Sequence, residues 1–195
     1  MKKNILTLLF LATTAMASAQ NTTWNIDASH TNVKFTITHL VISEVEGSFR
    51  AFDGKVTSTS PDFNNANIEF TVDVKSIDTD NEDRDKHLKS DDFFNAEKFP
   101  QMVFKSTSFK KTEGKNYVLT GDLTIRDVTK KVTFDVTYGG TVKDPWGNTK
   151  AGFKAKSKIN RKDYKLMWGA VTEAGGMVVS DEVEIAINLE LSQAK

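Results

Sequence analysis

About eight stretches of this chain alternate apolar and polar residues with a period of two, and nothing between them is long and apolar enough to serve as a covering crossover helix. Val33, Phe35, Ile37 and His39 face one way, against Lys34, Thr36 and Thr38. Ile68, Phe70, Val72 and Val74 stand against Glu69, Thr71, Asp73 and Lys75, and Val132, Phe134, Val136 and Tyr138 against Lys131, Thr133, Asp135 and Thr137. Side chains on a strand point alternately to its two faces, so each stretch reads as a strand with one dry face and one wet face. Parallel neighbours need crossovers that are missing here, so the strands pair antiparallel through hairpins. Asp53-Gly54, Glu113-Gly114-Lys115-Asn116, Arg126-Asp127 and Asp144-Pro145-Trp146-Gly147-Asn148 supply turn chemistry. A two-sheet sandwich and a closed barrel both satisfy this pattern, and an eight-stranded barrel leaves room for one small ligand. Gly47, Gly121 and Gly152 fall inside strands, where glycine marks a bend, a bulge or a close approach, and this favours the sharply curved barrel.

One segment breaks the rhythm. Asp83-Arg84-Asp85-Lys86-His87-Leu88-Lys89 crowds charges together, Phe93 and Phe94 follow side by side, and Lys98-Phe99-Pro100 closes the segment. Asp80 is expected to cap a short helix and Ser90 a second short turn. The residue before a proline is pushed toward an extended conformation, so Phe99 delivers the chain into the next strand. The segment is read as a lid that turns an aromatic pair inward over one end of the sheet. Burying each ring removes apolar surface at roughly 25 cal/mol per Å², so at least one must dock on the barrel or on its contents.

The first 19 residues have their own pattern: Lys2 and Lys3, an apolar run from Ile5 to Ala15, then Ala17-Ser18-Ala19. That is the pattern of a cleavable secretory signal peptide, with cleavage expected after Ala19. Residues 20–195 then form one domain, exported to the periplasm. No later stretch is apolar and long enough for stable membrane insertion. With 26 basic and 26 acidic residues the charge is balanced, which gives no reason to expect nucleic acid. Cysteine is absent, so burial and hydrogen bonding must hold the fold, and 13 phenylalanines supply much of the core.

Enzyme motifs are missing: no Gly-x-Ser-x-Gly elbow, no phosphate-cradling glycine loop, no paired zinc-type histidines. His30, His39 and His87 lie far apart and lack ligand spacing, so no metal is expected. His39 is in phase with Val33, Phe35 and Ile37 and points inward, either to meet a ligand's polar end or to hydrogen-bond within the core. Arg84 either meets a headgroup at a cavity mouth or pairs with Asp80, Asp83 or Asp91 to fasten the lid. The lysines at 150, 154, 156 and 158, with Arg161 and Lys162, read as a solvated row that protects a strand from edge pairing.

Several runs stand out together: His30 with Val33-x-Phe35 and His39-Leu40; Gly47-x-Phe49-x-x-Phe52-Asp53-Gly54; Arg84-Asp85-Lys86-His87-Leu88-x-Ser90-x-Asp92-Phe93-Phe94 with Lys98-Phe99-Pro100; Gly121-x-Leu123-Thr124-Ile125 with Val128-Thr129-Lys130; and Asp144-Pro145-Trp146-Gly147 with Ala151-Gly152-Phe153. In these runs the chain resembles the YceI-like family of exported, lipocalin-like proteins. The resemblance implies an all-β, eight-stranded antiparallel barrel with a short helical lid, and an elongated pocket for a polyisoprenoid or an isoprenoid quinone. It implies no catalytic residue and no cofactor beyond such a bound lipid, and it leaves a homodimer open. Asp127 and Lys165 stand where many members of the family have glycine. From inward phase and lid position, the expected ligand contacts are Phe35, Ile37, His39, Phe49, Phe70, Val72, Arg84, His87, Phe93, Phe94, Phe104, Leu123, Ile125, Phe134, Phe153 and Trp168. Two rival readings stand beside the carrier: a stress or interaction protein with a filled barrel, and an enzyme acting on a lipid or peroxide through His39 and His87.

Overall fold

The computed structural model describes residues 21–171 and 175–195; the expected signal peptide lies outside the described residues. The strands are β1 (Thr22–Ile26), β2 (Asn32–His39), β3 (Ser43–Phe49), β4 (Phe52–Ser58), β5 (Asn67–Asp73), β6 (Ile77–Asp78), β7 (Gln101–Lys111), β8 (Asn116–Ile125), β9 (Val128–Lys143), β10 (Thr149–Asn160) and β11 (Val179–Gln193). One helix, α1 (Glu82–Lys89), lies between β6 and β7. No helix among the described residues is long and apolar enough to cross a membrane.

The eleven stretches make eight staves. β1 and β2 both pair with β11 on one side, and with β4 and β3 respectively on the other, so they are two halves of one strand. β3 and β4 are likewise halves of a strand broken at Arg50-Ala51, and β5 and β6 are separated by the 3-10 turn Val74–Ser76. Each stave pairs antiparallel with the next in sequence, and β11 closes the ring onto β1. The expected eight-stranded antiparallel barrel with a helical insert is therefore what forms. Closure removes the free edges that an open sheet would expose.

Several local expectations are corrected. Asp53-Gly54 is not a turn but lies inside β4; a Cβ at Gly54 would overlap the Glu69 carbonyl and come within 3.1 Å of Phe70 Cα, so the glycine answers a close strand approach. The lysine-bearing strand β10 is paired on both sides, with β9 and β11, so its lysines guard no edge. Asn81, not Asp80, caps α1, its Oδ1 accepting from the Arg84 amide at 2.9 Å; Asp80 adopts φ 57° just before it. Ser90 ends α1, its hydroxyl donating back to the His87 carbonyl at 2.7 Å, so its side chain does not cap the second turn; that turn forms all the same, the Ser90 carbonyl accepting from the Phe93 amide at 3.2 Å.

One end of the barrel is sealed by aromatic rings. The β4–β5 loop folds inward to place Phe63, 1% exposed, against Trp24 and Phe153, each with ring centroids 5.0 Å away. Phe109 stacks on Tyr117 at 4.8 Å, and the Tyr117 hydroxyl donates to the Asp62 carbonyl at 2.6 Å, tying the loop to β8. The other end carries the lid.

Candidate functional site

The lid is fastened at both of its ends. At the first, the Thr79 amide and hydroxyl donate to Asp85 Oδ1 at 2.9 and 2.6 Å. Arg84 returns the link, donating from Nε to Thr79 Oγ1 at 2.7 Å and from Nη2 to the Thr79 carbonyl at 2.6 Å. Arg84 thus pairs with Thr79 and not with Asp80, Asp83 or Asp91. At the second, Arg126 Nη1 donates to the carbonyls of Phe93 and Lys165 at 3.0 and 2.9 Å, and its guanidinium lies 5.5 Å from the Phe99 ring centre. Charged donors make hydrogen bonds worth about 1.5–3 kcal/mol each, so Arg126 is a substantial latch.

Under the lid the rings interlock. His87 presents its ring edge-on to Phe93 and Trp168 at 5.0 and 5.2 Å, while its Nε2 lies 3.0 Å from Asp92 Oδ2. Phe94 meets Phe49 edge to face at 6.0 Å. The segment that carries Trp168 is held from below by Arg161, 2% exposed, whose Nη1 donates to the carbonyls of Leu166 and Trp168, both at 2.6 Å. Its Nε donates to the Ser180 carbonyl at 2.8 Å, and Asp181 lies 3.5 Å from Nη2. Burial lowers the Arg161 pKa and Asp181 opposes the shift, but arginine starts so high that it stays a cation. The reading of Arg161 as part of a surface row is therefore corrected: it is a buried organiser of the loop above it. Neither Arg126 nor Arg161 was among the expected site residues.

Between lid and plug lies a cavity of about 360 Å³. Every residue expected to touch a ligand, from Phe35 on β2 to Trp168, lines it. Phe104 on β7 and Phe134 on β9 do meet, edge to face at 5.5 Å along the wall over β8, yet they do not fill the space. Two strand glycines keep the space open. A Cβ at Gly47 would lie 2.6 Å from Phe35 Cε1, and one at Gly121 would lie 2.6 Å from Phe104 Cε2. The missing side chains let both rings lie against the wall. The wall is almost wholly apolar; His39, Thr79, Arg84, His87 and Arg161 contribute polar groups at the lid end, opposite the aromatic plug.

His30 belongs elsewhere. It converges with Asp27 and Glu190 on the outer wall, in a group close enough to share a cation. Lys150 already supplies one: its ammonium bonds Asp27 and sits 3.3 Å from Glu190 Oε1. The Lys150 ammonium, then the Ser29 hydroxyl, hold the Asp27 carboxyl well below the usual carboxylate range, and the same pair raises Lys150.

Residues 24–191 match the family model of the YceI-like domain. The chain belongs to the YceI-like family. Protein YceI of Salmonella agona (strain SL483) is 40% identical over 198 residues, covering 100% of both chains. Among solved structures, BcnA of Burkholderia cenocepacia superposes with a TM-score of 0.74 at 25% identity, over 85% of this chain and 98% of that one. A polyisoprenoid binding domain from Saccharophagus degradans shares the fold alone, with a TM-score of 0.60 at 14% identity over 88% and 98% of the two chains. The two positions at which this YceI-like chain departs from the glycines of the resemblance meet each other: Lys165 Nζ lies 2.8 Å from Asp127 Oδ2. Lys165 adopts φ 63°, the left-handed conformation that suits glycine, and its carbonyl is one of the two held by Arg126.

Proposed function

We propose that the barrel binds one long apolar chain of the polyisoprenoid or isoprenoid-quinone class and shields it from water during storage or transfer. The cavity of about 360 Å³, greasy along its wall and plugged at one end, carries this reading. Atoms lining such a void lack dispersion partners on one side, and an apolar guest restores them. The lining follows β11 from Val179 to Leu191, roughly 40 Å of strand at about 3.3 Å per residue, which suits an extended guest. A domain of the same fold is described as binding polyisoprenoids, which agrees with the chemistry of the wall. His39 and the outer Nη1 of Arg84, which has no partner among the described residues, are the groups that suit a polar end.

Binding, not catalysis, is the activity that this site suits. His87 is engaged by Asp92 and clamped between two rings, and the His39 imidazole has no acid–base partner among the described residues. The periplasm is the compartment proposed, on the strength of the amino-terminal run. Titration with an isoprenoid quinone tests the reading, because a quinone quenches a nearby indole. Saturable quenching at one quinone per chain, lost in Trp168→Phe and kept in Trp146→Phe, supports it. No quenching at micromolar quinone removes it.

A further inference from the structure

The β2–β3 hairpin turns on Leu40 and Val41, at φ 51° and 65°, and closes with the Ile42 amide donating to the His39 carbonyl at 3.2 Å. Two successive left-handed residues make the hairpin turn that Asn-Gly adopts freely. A β-branched valine is a genuine outlier there, held at a cost in stability. Packing returns nothing for it, since Val41 is 69% and Ile42 84% exposed. Strain and exposure both work against the fold, and together they set two aliphatic side chains on a projecting tip.

The tip has a definite place. The Leu40 amide donates to the Val178 carbonyl, and the Val178 amide to the Ala170 carbonyl, each at 2.9 Å. The tip therefore adjoins the β10–β11 connection, which exposes Met167 and Val171. His39, Arg161, Trp168, Val178 and Val179, on the same two segments and the strand ends beside them, line the lid end of the cavity. Val142 and Trp146, also exposed, lie at the β9–β10 turn beside the sealed end.

We infer that the rim formed by Val41, Ile42, Met167 and Val171 docks on the surface of a phospholipid bilayer, so that a lipid passes between membrane and cavity without crossing water. The inference rests on the carrier reading for its purpose, though not for its test. Four aliphatic side chains offer on the order of 60–120 Å² each. Together they fall short of the roughly 800 Å² that each partner buries in a stable protein interface. A bilayer needs no complementary shape and accepts a shallow apolar tip. Lys165 and Lys162, close to Met167 in the chain, are each paired, Lys165 with Asp127 and Lys162 with the Asp181 carboxylate that it shares with Arg161, so docking rests on the apolar side chains, which neutral phospholipids accept.

Flotation of residues 21–195, which contain every strand of the barrel, with phosphatidylcholine–phosphatidylethanolamine vesicles free of prenyl lipid tests this. Omitting the amino-terminal run keeps it from floating the protein by itself. The wild-type chain is expected to float, and Leu40→Asn with Val41→Gly and Ile42→Ser to partition at least about tenfold less. The same variant is expected to melt at a higher temperature, because the turn strain is gone, and Trp146→Ser to float as wild type. Quinone quenching in ethanol-delivered titrations stays as in wild type if the cavity reading holds, so each idea can fail alone. Failure of the wild type to float, equal flotation of the turn variant, or loss of a dimer as the variant's only change would overturn the inference.

Discussion

Gly47→Ala separates the wall of the cavity from its contents. The added Cβ would sit 2.6 Å from Phe35 Cε1 and 2.8 Å from Thr79 Cγ2, and every clashing atom belongs to a side chain. The backbone pairing of Phe35 with Gly47 therefore survives, and the Phe35 ring turns off the wall into the void. Overpacking of this kind costs about 1–3 kcal/mol. For a domain of this size that lowers Tm by roughly 2–4 °C per kcal/mol. A cavity that takes a benzene ring measures about 150 Å³. The displaced ring therefore consumes a large share of the 360 Å³ available, and quinone binding should weaken at least about tenfold. Phe35→Ala in the same background removes the clash with the ring and leaves only the contact with the Thr79 methyl. Urea unfolding of wild type, both singles and the double should give a coupling of about 1 kcal/mol or more, with quinone binding partly restored in the double. Costs that add to within about 0.5 kcal/mol would refute the account of why Gly47 is a glycine.

Arg126→Ala frees the Phe93 and Lys165 carbonyls; hydrogen exchange should show the Phe94, Asn95 and Ala96 amides losing protection while β8 keeps its own, at a cost of about 2–3 kcal/mol. Arg161→Met leaves the Leu166, Trp168 and Ser180 carbonyls without their donor and should cost about 3–5 kcal/mol by urea denaturation, since Arg161 is a buried cation paired with Asp181. Asp27 is held below its ordinary pKa, so in the unfolded chain it takes up a proton near pH 3.9 while the folded chain still does not. The unfolded state then binds more protons, and stability is present above that pH and lost as pH falls toward the folded value. The stability gap between wild type and Lys150→Met should therefore narrow from pH 7 to pH 3; a constant gap would contradict the Asp27–Lys150 pair as its source.

Strand phase was legible because a strand offers side chains only two directions. Phe35, Phe70, Phe104, Phe134 and Phe153 share the dry face of their strands in the sequence and line one cavity in the structure. Breaks within staves were not legible, because they depend on partners far away: Gly54 reads locally as a turn residue, but it sits in β4 because β5 passes close behind it. The two latches were missed for the same reason. Arg126 and Arg161 bind carbonyls contributed by loops distant in sequence or invisible as donors' targets in a residue string. Arg161 did carry a signal, since it continues the inward phase of Ala155, Ser157 and Ile159, and a cation in that phase must be either a headgroup ligand or a structural clamp. The lid was visible as a break in period two, but its cap was assigned one residue early, where Asp80 and Asn81 compete and only the left-handed backbone of Asp80 decides.

Native mass spectrometry of the protein taken directly from the cells that make it bears most directly on the cavity. The account expects a population carrying one long-chain isoprenoid lipid per chain, released by organic extraction and rebound when added back. Protein that emerges empty, yields no prenyl or acyl lipid on extraction and takes up no added isoprenoid quinone would contradict it.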